Sequence, residues 1–236
     1  MRVSEKKETR AVSASKPAAS RPAAGRKRAV RGAKAASGPV HSTARIIEAA
    51  VHLFATRGYA SSTLEEVAAK AGFTKGAVYY YFKSKERLLL DVLSAIEARS
   101  IDATIDAVHK DGGTPSAQLV NFVRHQTRWA AKYPKDLAIL VLLSIETANT
   151  RSKVRTKMLG LYAKLAGLLE EIIDAGKRDG EFSAEQDTKD TVLYLQAVHD
   201  GNMMIWYRSG TDPDIGRKLT RATFSGFLHA VKGERM

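Results

Sequence analysis

Residues 63–85 constrain this chain more than any other stretch. Thr63-Leu64-Glu65-Glu66 forms a capping box, in which the Thr63 hydroxyl and the Glu66 carboxylate satisfy each other's backbone amides. Leu64, Val67, Ala68 and Ala71 give the helix that follows one apolar face, and Gly72 stops it. The turn Ala71-Gly72-Phe73 runs straight into Thr74, the cap of a brief helix whose Val78 and Phe82, four apart, point into a core. Lys75, Gly76, Ala77 and Tyr79 point outward. Gly76 is poor helix chemistry, costing about 1 kcal/mol relative to alanine, and is reasonable where the backbone must come close to another molecule. Three successive tyrosines, Tyr79, Tyr80 and Tyr81, cannot all face one core from one short helix, so at least one is exposed beside Lys83 and Lys85. Two short helices, a tight glycine turn and an aromatic and basic end are the build of a helix-turn-helix that meets DNA.

The flanks read as helix throughout. Upstream, Ser42 or Thr43 is placed to cap a helix carrying Ile46, Ile47, Ala50, Val51 and Phe54 on one face, ended by Arg57-Gly58-Tyr59. Downstream, Ser84 caps a long helix through Leu88, Leu89, Val92, Leu93 and Ile96 to about His109, closed by Asp111-Gly112-Gly113-Thr114-Pro115. Further helices are expected near 116–132, 135–149, 152–178, 187–208 and 213–232, and no strand pattern competes. The fold class is all-α, with a three-helix helix-turn-helix domain over 41–90 and a helical domain over 91–236.

The formal net charge of the 236 residues is +13, which points to a polyanionic partner. Residues 1–40 hold 11 of the 38 Lys and Arg and 2 of the 25 acids, so most of the excess lies in this segment. Built from Ala, Ser, Pro, Gly, Lys and Arg, it reads as a disordered basic arm, either a solubilising extension or a source of sequence-independent DNA contacts through Arg26, Lys27, Arg28 and Arg31. An Arg- and Ser-rich start also mimics an organelle transit peptide. The chain has no cysteine, which excludes disulfides and thiolate metal sites. No apolar run approaches the roughly 20 residues of a membrane span. The six histidines show no metal-protease spacing, His199 and Asp200 are adjacent and so point apart on a helix, and no phosphate loop or nucleophile elbow is present. No catalytic group, metal site or cofactor is expected.

Residues 44–93 resemble the N-terminal domain of the TetR family of transcriptional regulators. The pattern is carried by Ile47, Ala49-Ala50, Leu53-Phe54, Gly58, Thr63, Val67-Ala68, Ala71-Gly72, Thr74, Gly76, Tyr79, Tyr81-Phe82, Ser84-Lys85 and Leu88. The resemblance implies phosphate contacts at Thr63, Thr74, Tyr79, Tyr80, Tyr81, Lys83 and Lys85, and base-edge positions at Lys75, Gly76, Ala77 and Tyr79. Tyr81 stands where many members carry histidine. Gly76 and Ala77 make no bidentate contact, so Lys75 is the candidate for reading guanine, with the remaining selectivity indirect.

In that family the C-terminal domain binds a small effector among its middle helices and dimerises through its last two long ones. Gly-Lys-Arg-Asp-Gly-Glu-Phe at 176–182, Asp200-Gly201 and Trp206-Tyr207-Arg208 with Gly210 resemble a branch in which several members answer to acyl-CoA thioesters. Pocket candidates are Phe122, His125, Trp129, Leu143, Glu146, Tyr162, Leu165, Asn202, Met203 and Trp206, residues that equally describe a bundle core. Val192, Leu195, Leu219, Ala222, Phe224 and Leu228 suit a two-fold helix-pair contact. The expectation is a cytoplasmic, ligand-responsive homodimeric repressor on a palindromic double-stranded DNA operator, associated with the nucleoid when bound to DNA. A regulator without an effector, an activator, and a weakly sequence-specific architectural protein are the alternatives.

Overall fold

The computed structural model describes residues 39–232. Among them there are helices and no strands. The arm positions Arg26, Lys27, Arg28 and Arg31 lie outside the described residues.

Helix α1 spans Pro39–Arg57 and so takes in the last two residues assigned to the arm. Proline suits a helical first turn, since its missing N–H has no partner to lose there. The expected caps are therefore displaced: Ser42 is buried inside α1, and the Thr43 hydroxyl donates back to the Val40 carbonyl at 3.0 Å. Helices α2 (Leu64–Ala71) and α3 (Lys75–Tyr81) follow their threonine caps, and α4 (Lys85–Glu97) follows Ser84, whose hydroxyl accepts from the Arg87 amide.

The long helix expected to about His109 is not regular. After α4 the chain makes a π-helical turn at Ala98–Asp102 and resumes as α5, Ala103–Asp111. The extra residue in that turn shifts the faces that follow it. Arg99 inside the turn donates through two guanidinium nitrogens to the buried Asp136 carboxylate, one contact measuring 2.6 Å, and lies over the Tyr133 ring at 5.3 Å.

The body comprises α6 (Pro115–Lys132), α7 (Pro134–Glu146), α8 (Lys153–Arg178), α9 (Thr188–Arg208) and α10 (Pro213–Lys232). Helix α7 ends at Glu146, short of the expected 149; the Thr147 amide closes it on the Leu143 carbonyl at 3.0 Å and the chain turns through 147–149. One continuous apolar core joins Phe54, Val67 and Val78 around the short helices to Leu119, Leu161 and Leu195 in the body. The expected domain division at 90 falls inside α4, and α1 packs on α7 as well as on α4. Lys157 and Lys164 of α8 pair with Glu97, and Lys164 also reaches Asp102 at 2.9 Å. Burial pushes the Glu97 carboxyl up, but the two ammoniums hold it below the usual carboxylate range.

Near the end of α8, Gly176 is buried against Phe182, and a Cβ at 176 would collide with the face of the Phe182 ring. The same loop donates the Ser183 amide to the Val231 carbonyl at 2.9 Å, tying α8 to α10. Gly176→Ala is therefore expected to lower stability by roughly 1–3 kcal/mol, the range for an overpacked core. Gly160→Ala in the same helix, with open space around it, is expected to raise stability by about 0.5–1 kcal/mol. Urea midpoints of the two variants check the opposed signs.

Candidate nucleic-acid interface and effector cavity

The helix-turn-helix is held by short-range chemistry. The Thr63 amide donates to Glu66 Oε2 at 2.9 Å and the Glu66 amide donates to Thr63 Oγ1 at 3.2 Å, completing the capping box. Gly72 sits at φ 72°, and its amide and that of Phe73 close the end of α2 on the Ala68 and Ala69 carbonyls. Arg45 donates to the Ala71 carbonyl at 2.9 Å while lying over the Phe73 ring. Val78 and Phe82 are buried, so α3 is anchored on one side and open on the other.

That open side carries Thr74, Lys75, Gly76, Tyr79 and Tyr80, with Tyr80 74% exposed and Tyr79 40%. Ala77 and Tyr81 are half-buried; Tyr81 packs edge-on to Tyr80 at 5.4 Å between ring centres. Lys83 lies over the Tyr80 ring at 5.5 Å. A Cβ at Gly76 would meet nothing within 4 Å, so no internal packing requires glycine there. Lys75 is parked: its ammonium pairs with Glu65 Oε1 at 2.6 Å and lies over Tyr79 at 5.6 Å. The hydrogen bond from Lys75 holds the Glu65 carboxyl below its ordinary range, and Glu65 in turn raises Lys75.

Lys85 departs from the expected phosphate role. Its ammonium donates to the carbonyls of Tyr59 and Ser62, each at 2.9 Å, and of Ala60 at 3.2 Å, with the Tyr59 ring 4.4 Å away. All three ammonium protons are used, so Lys85 staples the α1–α2 loop to the start of α4.

Two cavities open among the body helices. An outer one of about 760 Å³ lies between α6, α9 and α10, lined by Val123, Thr127, Asn202, Trp206 and Leu219 with Arg217, Lys218 and Arg221. An inner one of about 290 Å³ lies between the π turn, α6, α7, α8 and α9. His199 and Met203 line both.

The sequence candidates divide among these places. Trp129, Tyr162, Leu165 and Met203 line the inner cavity, and Asn202, Met203 and Trp206 the outer one. Phe122 belongs instead to the core, against the His199 ring at 5.4 Å. His125 faces Asp111 at 3.0 Å, away from both cavities. Leu143 and Glu146 lie on the other side of α7 with Phe54, Tyr59 and Leu89. Val192 and Leu195, offered for a two-fold contact, are buried within the protomer; the outward face of α9 instead shows Leu193, Tyr194, Ala197, Gly201 and Ile205.

The description of bacterial regulatory proteins of the tetR family matches residues 46–92, and that of the tetracyclin repressor-like C-terminal domain matches residues 112–226. The chain belongs to the TetR family. A fatty acid metabolism regulator protein of Bacillus subtilis (strain 168) is 29% identical over 172 residues, covering 72% of this chain and 86% of that protein. The HTH-type transcriptional repressor NicS of Pseudomonas putida is 27% identical over 199 residues, covering 80% and 91%. Among solved structures, the MbdR regulator from Azoarcus sp. CIB superposes with a TM-score of 0.70 at 29% identity, over 83% of this chain and 100% of that one.

In this TetR-family chain the inner cavity also carries polar groups beyond the sequence candidates, among them Gln126, Ser144 and Asp200. Gln126 donates to Thr104 at 3.0 Å, the Ser144 and Tyr162 hydroxyls pair at 2.9 Å, and Asp200 lines the inner cavity. Burial lowers His199 to about 4 and raises Asp200 to about 6. The signs oppose. His199 binds its proton more readily in the unfolded chain, so it withdraws stability as pH falls from about 6.5 to 4; Asp200 binds its proton more readily in the folded chain, so it adds stability as pH falls from about 6 to 3.8. Urea midpoints of Asp200→Asn are expected to fall more steeply than those of the parent between about pH 6.5 and 4.5; equal slopes would contradict the pairing of these two effects.

Proposed function

We propose that this chain is a homodimeric repressor that holds a palindromic operator and lets go when an effector fills the α6–α10 cavities. The observation that carries the DNA half is the open face of α3, where a helix anchored by Val78 and Phe82 presents Lys75, Gly76 and two exposed tyrosines. In this reading Thr63, Thr74, Tyr79, Tyr80, Tyr81 and Lys83 meet phosphates, while Lys75, Gly76, Ala77 and Tyr79 face base edges. Lys85 acts from behind by holding the loop. The outward face of α9, with Leu193, Tyr194 and Ile205 exposed around Ala197 and Gly201, suits the two-fold contact with a second copy, alongside α10. The reading places the protein in the cytoplasm and assigns it no catalytic step.

Lys75 must leave Glu65 to reach a base. Glu65→Gln frees it and removes a negative charge from the DNA-facing side, so operator affinity is expected to rise by about two- to fivefold, as for an exposed ion pair. A fluorescence anisotropy titration reads this; a drop in affinity would mean that Glu65 positions Lys75 rather than restraining it.

For the effector we propose an acyl-CoA thioester. The relative named for fatty acid metabolism supports that class, as do Arg217, Lys218 and Arg221 lining the outer cavity, cations suited to a nucleotide's phosphates. Helix α7 is the natural relay. Leu137, Leu140, Val141 and Ser144 line the inner cavity, while Ile139, Leu142, Leu143 and Glu146 of the same helix abut Phe54, Tyr59 and Leu89. An effector acts only as far as it favours the state that cannot span the operator. Selecting bound fragments from genomic DNA and then adding octanoyl-CoA tests both halves. The reading predicts a footprint of two half-sites about one turn, or a multiple, apart, weakened by the thioester. Binding that no CoA thioester affects would overturn the effector class.

A further inference from the structure

The inner cavity contains a charge that its own walls leave unanswered. Its hydroxyls and amides largely pair among themselves: Ser144 with Tyr162, and Gln126 with Thr104. His199 is buried against Phe122 and stays neutral at physiological pH. Of the residues lining the cavity, Asp200 alone is charged, and among the described residues its carboxylate has neither a hydrogen bond nor an ion pair. Asp200 is exposed; it lines this space beside Leu137, Leu140, Leu161 and Leu165 and adjoins the outward face of α9 at Ala197 and Gly201.

We infer that the inner cavity receives an organic ammonium group of ring or short-chain size, with Asp200 as its counter-ion. This rests on the reading of these cavities as the effector site. A purely apolar acyl chain would bury the carboxylate without a partner, an unfavourable exchange for a charge leaving water. A hydroxyl would give one hydrogen bond and leave the charge uncompensated. An ammonium neutralises it, and the Trp129 and Tyr162 rings in the same wall favour a cation near an aromatic face. The volume of about 290 Å³ holds a group of this size and falls at the lower end of ligand sites. The ammonium is either a free amine or the end of a larger effector whose anionic part lies on Arg217, Lys218 and Arg221. Burial raises Asp200 to about 6, so near neutral pH the carboxylate is mostly ionised and available to such a partner.

Calorimetry on the full chain distinguishes these cases with matched probes: benzylamine, benzyl alcohol and benzoate as free groups, and β-alanyl-CoA beside propionyl-CoA as thioesters. In at least one series the ammonium probe is expected to bind about tenfold or more tightly than its uncharged match, with benzoate weakest of the free probes. Asp200→Asn is expected to shrink that preference to about twofold or less. The parent comparison stands by itself should the variant fail to fold. Thioesters that bind without preferring the amine, while the free probes show no amine preference either, would sink this inference and leave the CoA reading intact. Amines preferred while no thioester binds would do the reverse. A preference that survives Asp200→Asn, or no preference in either series, overturns the inference; so does an Asp200 already paired with a cation of the partner protomer in a structure of the dimer.

Discussion

Arg99→Met is expected to destabilise the fold by about 3–5 kcal/mol, the range for leaving one buried charge without its partner. Asp136 is 2% exposed and its carboxylate is held by the Arg99 guanidinium. Methionine keeps much of the packing of the arginine stem but removes both donors, so the carboxylate is stranded at the start of α7. The reverse change differs. With its side chain 31% exposed, Arg99 regains water when Asp136 is replaced, so Asp136→Asn is expected to cost less, about 1–2 kcal/mol. Chemical denaturation of both variants checks the order. An equal or larger loss at Asp136, or a loss below about 1 kcal/mol at Arg99, would show that the pair does not anchor the π turn to α7.

Gly76→Ala is expected to move stability and DNA binding in opposite directions. Alanine relieves the helix cost of glycine and meets no neighbour within 4 Å, so stability should rise by about 0.5–1 kcal/mol. The added methyl group faces outward from α3, on the side proposed to approach base edges, and operator affinity should fall by about tenfold or more. A variant that gained stability and kept its affinity would show that the glycine serves neither the fold nor the DNA.

What was legible from sequence is what local chemistry decides. The Thr63 capping box, the Gly72 turn and the Val78 and Phe82 anchors depend on residues within five positions of one another, and each is found where the pattern places it. The place of Lys85 is not legible from its neighbours in sequence, because the carbonyls it holds, those of Tyr59, Ala60 and Ser62, lie more than twenty residues back, and a cation beside tyrosines reads equally well as a phosphate contact. The π turn did leave a trace. Ile96 and Ile101 are both buried at a spacing of five, with Ser100 at the position a regular helix would bring beneath Ile96.

The cavities were the least legible part. Large apolar side chains line a pocket and fill a core with the same pattern, and the difference is where helices fail to touch. Trp129 and Tyr162 reached the cavity while Phe122 did not, although nothing in their spacing separates them. His199-Asp200 offered the clearest signal. Its two residues do point to different surroundings, His199 toward Phe122 and Asp200 into the inner cavity without a partner. Adjacent residues on a helix point apart, so the two act as separate groups, and the carboxylate that lines the cavity is the one a ligand there would meet.

The central claim, that two α3 faces on one dimer read a defined operator, is tested most directly by a salt titration of binding to a genomically selected fragment and to a shuffled copy of it. The account predicts a preference for the selected fragment of about a thousandfold or more near physiological salt, with both affinities falling as salt rises. Binding to the two DNAs within a few-fold, with equally steep slopes, would contradict it and leave a protein that coats DNA through charge alone.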